Sequence, residues 1–337
     1  MPRTLILLTI PFLLSAARAQ NCAEVYVHAG LNAQSVGKFK DALKDFTLAI
    51  QCDPHWSSPY VDRGIVLEQL GQYLAAIKNY NKAARISPKD PLIYYDRGLA
   101  WNDLGQWYKA ILDFDTALLL KPTYKEALMD RGLAKMDGAD FDGAITDFYV
   151  AIKLDPRYVK AYYNRGNAFA GVKNYALAVA NFNEAIRLDP HLEQAYVSRA
   201  ASEIKLNGAK RALQDIAYAL MLNPNDPKCF YNRGVAHDHL GDQKASIADF
   251  TKAIELKKDY SKAFTSRAIS YYKLGTLDSA LADLSKAIVL NPEDGTAYWY
   301  RGDTERLLHL ASDCGDFARA SELGVPEAGI SIKKYCH

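Results

Sequence analysis

The residues with the most chemistry to offer in this sequence are its arginines, carboxylates and histidines. An arginine recurs at Arg63, Arg97, Arg131, Arg165, Arg199, Arg233, Arg267 and Arg301. A carboxylate or amide recurs at Asp45, Asn79, Asp113, Asp147, Asn181, Asp215, Asp249 and Asp283. Left free on a surface, the guanidinium row would be a ladder for anions. Turned against the carboxylates, it would make bidentate pairs between packed helices. Recurrence in nearly every unit at a packing position favours the second use, so a buried, paired structural ladder is expected. Among the seven histidines only His237-Asp238-His239 looks like a ligand cluster. On a helix, residues two apart point about 200° from one another, so the two rings cannot share a metal. The chain has no metal-type cysteine spacing, no glycine-rich phosphate loop and no nucleophile elbow. No catalytic residue, metal site or cofactor is expected.

The elements that position these groups are set by a repeat. Proline stands at Pro54, Pro88, Pro122, Pro156, Pro190, Pro224 and again at Pro292, on a period of 34 residues. Gly30, Gly64, Gly98, Gly132, Gly166, Gly234 and Gly302 share the register, with Ala200 and Ala268 in the remaining slots. Alanine columns run through Ala42 to Ala280 and Ala49 to Ala287. An aromatic column holds Phe46, Tyr80, Phe114, Phe148, Phe182 and Phe250, with Ile216 and Leu284 as aliphatic substitutes. In one unit, Tyr94, Gly98, Ala100 and Trp101 make a first helical face, and Gly105 marks a turn. Ala110, Ile111, Phe114, Ala117 and Leu118 make a second amphipathic helix, which Pro122 stops. Neither helix can bury its face alone, so the hairpins must stack on their neighbours.

These columns resemble the tetratricopeptide repeat family from Ala23 to about Asp294. The resemblance implies an all-α solenoid: a right-handed superhelix of about eight to nine helical hairpins with a C-terminal capping helix. Eight units are expected at 23–56, 57–90, 91–124, 125–158, 159–192, 193–226, 227–260 and 261–294, with an irregular ninth unit and cap over 295–337. The arginine column departs from the family pattern, which commonly has leucine there. The resemblance also implies a concave groove lined by the first helix of each pair. The fifth residue of each unit would face it: Val27, Val61, Tyr95, Met129, Tyr163, Val197, Tyr231, Thr265 and Trp299. Leu99, Asn102, Met136, Asn167, Tyr272 and Lys273 would stand nearby. Of these, Tyr95, Met129, Tyr163, Asn167, Tyr231, Tyr272 and Trp299 are the expected partner-binding residues, since aromatic anchors beside amides suit a peptide segment. The lysine-asparagine clamp by which some relatives bind acidic tails has only a partial echo in Lys160, Asn164 and Asn167.

The ends carry their own signals. Residues 1–19 read as a signal peptide: Arg3, an apolar run from Leu5 to Leu14, then Ala17-x-Ala19 before Gln20. The run is too short to span a bilayer, so an exported chain with no membrane span is expected, periplasmic or secreted. Without Arg3 and Arg18 the 41 basic residues fall to 39, equal to the 39 acidic ones, which argues against nucleic acid. Cys22 and Cys52 lie about fifteen residues either side of the turn near Gly37, and Cys314 and Cys336 lie either side of Gly324. Each pair is level in an antiparallel hairpin, so both are candidate disulfides that would staple the two ends. Cys229 sits in a column of alanines and is expected to be a small core residue. The last segment resembles the endings of Sel1-like repeat proteins and would cap the solenoid. Repeats and caps use almost the whole mature chain, which leaves no catalytic domain. The expected function is an exported, non-catalytic scaffold or adaptor for protein or peptide partners. The alternative is a regulatory or targeting subunit of a cell-envelope enzyme, or of an assembly or secretion complex.

Overall fold

The computed structural model describes residues 9–310 and 314–336, with side chains from residue 21 onward. The leader expected over 1–19 therefore lies outside the described side chains. The described residues form nineteen α-helices and no strand. The chain divides into two compact units, Met1–Ala168 and Phe169–His337.

Unit 1 holds α1 (Thr9–Ser35), α2 (Phe39–Cys52), α3 (Ser58–Gln69), α4 (Tyr73–Ile86), α5 (Pro91–Asp103), α6 (Trp107–Leu120), α7 (Lys125–Asp137), α8 (Phe141–Leu154) and most of α9 (Val159–Gly171). Consecutive helices pair as hairpins: α1 with α2, α3 with α4, α5 with α6, α7 with α8. Each second helix packs on the next first helix, and the first helices α1, α3, α5 and α7 also touch in succession. Unit 2 follows the same plan with α10 (Tyr175–Leu188), α11 (Glu193–Lys205), α12 (Ala209–Leu222), α13 (Pro227–His239), α14 (Gln243–Leu256), α15 (Ser261–Lys273), α16 (Leu277–Leu290), α17 (Gly295–Leu307) and α18 (Cys314–Glu322). A last helix, α19 (Pro326–Tyr335), packs on α18 and ends the array.

The core is made by the repeated columns. Ala42, Ala76, Ala110, Ala144, Ala178, Ala212 and Ala280 are wholly buried, as are Phe46, Tyr80, Phe114, Phe148 and Phe182. Small residues bring the two helices of a hairpin together, and the large ring fills the space beside them. The hairpin turns share one backbone device. Gly37, Gly71, Gly105, Gly241 and Gly275 have positive φ at the slot between first and second helix. Ala139, Lys173, Asn207 and His309 adopt the same left-handed conformation in the other hairpins.

Cys22 is bonded to Cys52, and Cys314 to Cys336. The first bond ties α1 to the end of α2, and the second ties α18 to the residue after α19. Each joins successive helices of an outermost hairpin among the described residues. Replacing Cys314 and Cys336 together by serine is expected to remove about 2–4 kcal/mol of stability from this end. Hydrogen exchange should show lost protection in α18 and α19 with α11 to α14 unchanged; equal protection in both proteins would show that the bond holds nothing in place.

Candidate interaction surface

The arginine column lies between helices. Arg97, on α5, donates through Nε to Asp113 Oδ2 on α6 at 2.8 Å, while Nη2 reaches Oδ1 of the same carboxylate. Its Nη1 turns backward to Asn81 Oδ1 on α4, the second helix of the preceding hairpin, at 2.7 Å. The pattern repeats along the chain. Arg131 holds Asp147 and reaches back to Asp115, Arg199 holds Asp215 and reaches back to Asn183, and Arg267 holds Asp283 and reaches back to Thr251. Arg63 makes the same pair of contacts with Asn79 and Thr47. Arg233 and Arg301 hold Asp249 and Asp316. Seven of these guanidinium groups also lie over the aromatic ring three residues earlier, as Arg97 does over Tyr94 at 5.4 Å and Arg165 over Tyr162 at 5.6 Å. Hydrogen bonding to Asp113 raises the pKa of Arg97, whereas burial beside a neutral amide lowers that of Arg63. Arg63, Arg97, Arg131, Arg199 and Arg267 thus tie their own hairpins shut and pin each to the helix before.

The first-helix faces are less open than the sequence suggests. Met129 is 4% exposed and belongs to the core of unit 1. Tyr95 is half-buried, stacks on Tyr124 at 4.8 Å and Phe114 at 5.9 Å, and donates its hydroxyl to Asp130 on α7 at 2.7 Å. Tyr231 rests on Tyr260 at 5.1 Å and Phe250 at 5.7 Å. Tyr272 donates to Asp303 on α17, and burial with that bond pushes its phenol up to about 12. Trp299 donates Nε1 to Ser331 Oγ on α19 at 3.2 Å, so the cap engages it. Tyr163 and Asn167 stand half-buried on α9. Met129 leaves the expected partner-binding set because it is buried, while Tyr95, Tyr231, Tyr272 and Trp299 stay partly exposed and lean on neighbouring elements. The cause is the close approach of successive first helices, which turns fifth-position side chains onto the neighbouring hairpin.

One residue further on, a second row was passed over. Asp62, Asp96 and Asp130 occupy the same place on α3, α5 and α7, at the 34-residue period. The period alone makes them visible in the sequence. Asp62 accepts a bond from Ser58 Oγ at 3.1 Å and Asp130 accepts one from Tyr95. Asp96 is 8% exposed, and its Oδ2 has no hydrogen-bond partner.

The remaining candidate chemistry does not assemble into a reaction centre. His237 Nε2 lies 3.7 Å from Asp249 Oδ2, while His239 is exposed, so the two rings serve different places. Cys229 is fully buried between Glu193 and Asp226, its Sγ 3.8 Å and 3.7 Å from their oxygens. Among the described residues this trio is the one grouping of His, Cys, Asp and Glu with ligand atoms within 4.8 Å of one another. Asp226 already spends one oxygen capping α13 at Lys228 N. Burial and the two carboxylates push the thiol far above its ordinary range, so it sits there as a protonated donor. One open crevice is lined by Asn81, Ala84, Arg85, Tyr94 and Arg97.

Stacked helical hairpins with one internal pairing scheme repeated from hairpin to hairpin define an α-helical repeat protein. Models of the tetratricopeptide repeat match residues 64–101, 136–172, 159–192, 227–260 and 265–322, more than half of the sequence, and the chain belongs to that family. No curated protein matches it. Among solved structures, a tetratricopeptide repeat protein from Parabacteroides merdae is 20% identical with a TM-score of 0.58, covering 74% of this chain and 99% of that one. The Cut9–Hcn1 hetero-tetramer of the APC/C gives 14% identity and a TM-score of 0.62, covering 94% of this chain and 76% of that one. The C-terminal part of a repeat protein from Cytophaga hutchinsonii gives 20% identity and a TM-score of 0.54, covering 70% and 97%. These are likenesses of fold. A tetratricopeptide scaffold is typically a protein-binding, non-catalytic framework. No helix among the described residues is long and apolar enough to cross a membrane.

Proposed function

We propose that this protein is an exported, non-catalytic scaffold that holds segments of other proteins along its first-helix faces. The observation that carries this reading is the distribution of polar side chains. The arginine ladder and its carboxylate and amide partners on the second helices hold hairpins together. The first helices present half-buried residues of mixed type: Leu99, Asn102, Asn164 and Asn167 in the middle of the chain, Asn232 and Tyr272 further on. Partly buried amides and rings suit peptide contacts, because they offer both apolar area and hydrogen bonds. Two disulfides at the ends and the leader-like first residues support an oxidising compartment, periplasmic or extracellular.

The test is site-specific photocrosslinking in the native envelope. A crosslinking residue at position 99, 102 or 167 should capture protein partners several-fold more strongly than one at position 119 or 221. Leu119 and Met221 are exposed on second helices and serve as the outer-face controls. Capture concentrated at 119 and 221 would overturn the assignment of the face.

A further inference from the structure

The acidic row of unit 1 is short of cations. The basic residues of α3, α5 and α7 are engaged elsewhere: Arg63, Arg97 and Arg131 in the ladder, Lys125 with Asp155 and Lys135 with Asp147. Among the described residues, no lysine or arginine forms an ion pair with Asp62, Asp96 or Asp130. Further on, the same register holds Asn164, Ser198, Asn232, Ser266 and Tyr300, so the carboxylate row is confined to unit 1.

A second observation lies behind the row. Tyr80 fills the aromatic slot that holds phenylalanine at positions 46, 114, 148, 182 and 250, and it is wholly buried. Its hydroxyl faces Glu68, Asp96 and Asp62 closely enough to feel their charges. That hydroxyl stands beside the Glu68 carboxylate without a well-aligned hydrogen bond, and Asp96 Oδ2 is unpartnered. Three neighbouring helices thus aim unsatisfied polar atoms at one place, an arrangement that costs the free protein stability. All three aspartates are raised above their ordinary pKa, first by burial; Asp96 is pushed to about 7, with Asp90 and Asp62 adding repulsion, and Glu68 to about 8. Tyr95 and Tyr124 face the same charges, and Asp103 adds to those on Glu68. Lys160 offsets Asp130 from a distance.

We propose that the first-helix face of unit 1 binds a lysine- or arginine-bearing segment of a partner protein, its cationic heads seated on Asp62, Asp96 and Asp130 with Glu68 and Tyr80 behind them. This rests on the scaffold reading above and names the chemistry of the partner. A cation supplies what the row lacks: a counter-charge for the carboxylates. A divalent metal is a poorer occupant, because these carboxylates do not bring three ligand atoms within 4.8 Å of one another. Binding favours the ionised carboxylates, so it is expected to weaken as pH falls through 7 and to weaken with salt.

The probe is a fluorescent Gly/Ser peptide with lysine at alternate positions, titrated into the full-length protein beside isomers carrying glutamate or only serine. The lysine peptide is expected to bind at least about tenfold tighter than either, a difference worth about 1.4 kcal/mol. Asp96→Asn and Asp62→Asn should each lower its affinity several-fold, while Leu119→Ala, on the exposed outer face of α6, leaves it unchanged. Asp96→Asn should also raise the melting temperature at pH 8. A carboxylate whose folded pKa is raised costs stability progressively as pH rises from its unfolded pKa to its folded one, here about 7, so at pH 8 the full cost is present and the amide removes it. A lower melting temperature would mean the carboxylate is structural and would overturn the proposal. So would equal binding of lysine and serine peptides, or displacement of the lysine peptide by calcium at an ionic strength matched with sodium. If the serine peptide binds without charge preference, only this inference fails. If no peptide binds and crosslinking at positions 99, 102 and 167 also yields nothing, the scaffold reading fails with it.

Discussion

Replacing Arg97 by alanine is expected to lower the stability of unit 1 by about 3–5 kcal/mol, among the largest losses from any single change in this chain. Asp113 is buried at 6% exposure and draws both its arginine bonds from Arg97. Alanine leaves that carboxylate in the interior without its counter-charge. It also strips the bond to Asn81 that joins the third hairpin to the second, and the stack on Tyr94. Arg97→Lys should fall between, since an ammonium cannot make the two-pronged contact with Asp113 and still reach Asn81. Arg97→Met combined with Asp113→Leu should lie closer to wild type than Arg97→Ala, because no buried charge is left alone. Urea denaturation gives the magnitude, and hydrogen exchange localises it to α4, α5 and α6. Arg187→Ala serves as a control, its partner Glu184 being a surface neighbour three residues away. If Arg97→Ala costs no more than Arg187→Ala, the ladder is not what couples the hairpins.

The hairpins themselves were legible because their determinants are local and strictly periodic. Proline after the second helix and glycine at the closest approach each state a backbone requirement by residue type. The pairing of arginine with the carboxylate sixteen residues later was legible for the same reason. The backward reach was not. Thr47, Asn81, Asp115, Asn183 and Thr251 share only a side-chain oxygen, so no column of one residue type announces them. The turn slot shows the same limit: its conformation is kept at Ala139, Lys173 and His309 although the glycine is gone. The family resemblance implies that the fifth-position side chains face a groove. Phase says which way a side chain leaves its own helix. Whether it meets solvent depends on how near the next first helix comes, and that distance buried Met129 and joined Tyr95 to Asp130. The acidic row stands in the sequence at the repeat period, but carboxylates on a helix are ordinarily solvated, and only the structure shows these without cations.

The second large effect concerns the glycine column. A Cβ at Gly98 would stand 2.6 Å from Phe114 Cε1 and 2.9 Å from Cδ1, inside a ring that is wholly buried. Gly64 meets Tyr80, Gly132 meets Phe148 and Gly234 meets Phe250 in the same way. Gly98→Ala is therefore expected to destabilise by about 1–3 kcal/mol, although alanine is the better helix former. The chain carries the compensation. Where the column has alanine, at Ala200 and Ala268, the residue sixteen places on is Ile216 or Leu284 instead of a ring. Both of those aliphatic side chains are fully buried, so the methyl and the narrower side chain fill the space that glycine and phenylalanine fill elsewhere. Phe114→Leu alone should leave a void and cost its own penalty. Gly98→Ala with Phe114→Leu should recover at least about 1 kcal/mol relative to the sum of the two single changes. The reverse cycle makes the same demand: Leu284→Phe should be poorly tolerated unless Ala268→Gly accompanies it. Additive effects in both cycles would mean that the two columns vary independently, and that the contact between them does not set how closely the helices of a hairpin can pack.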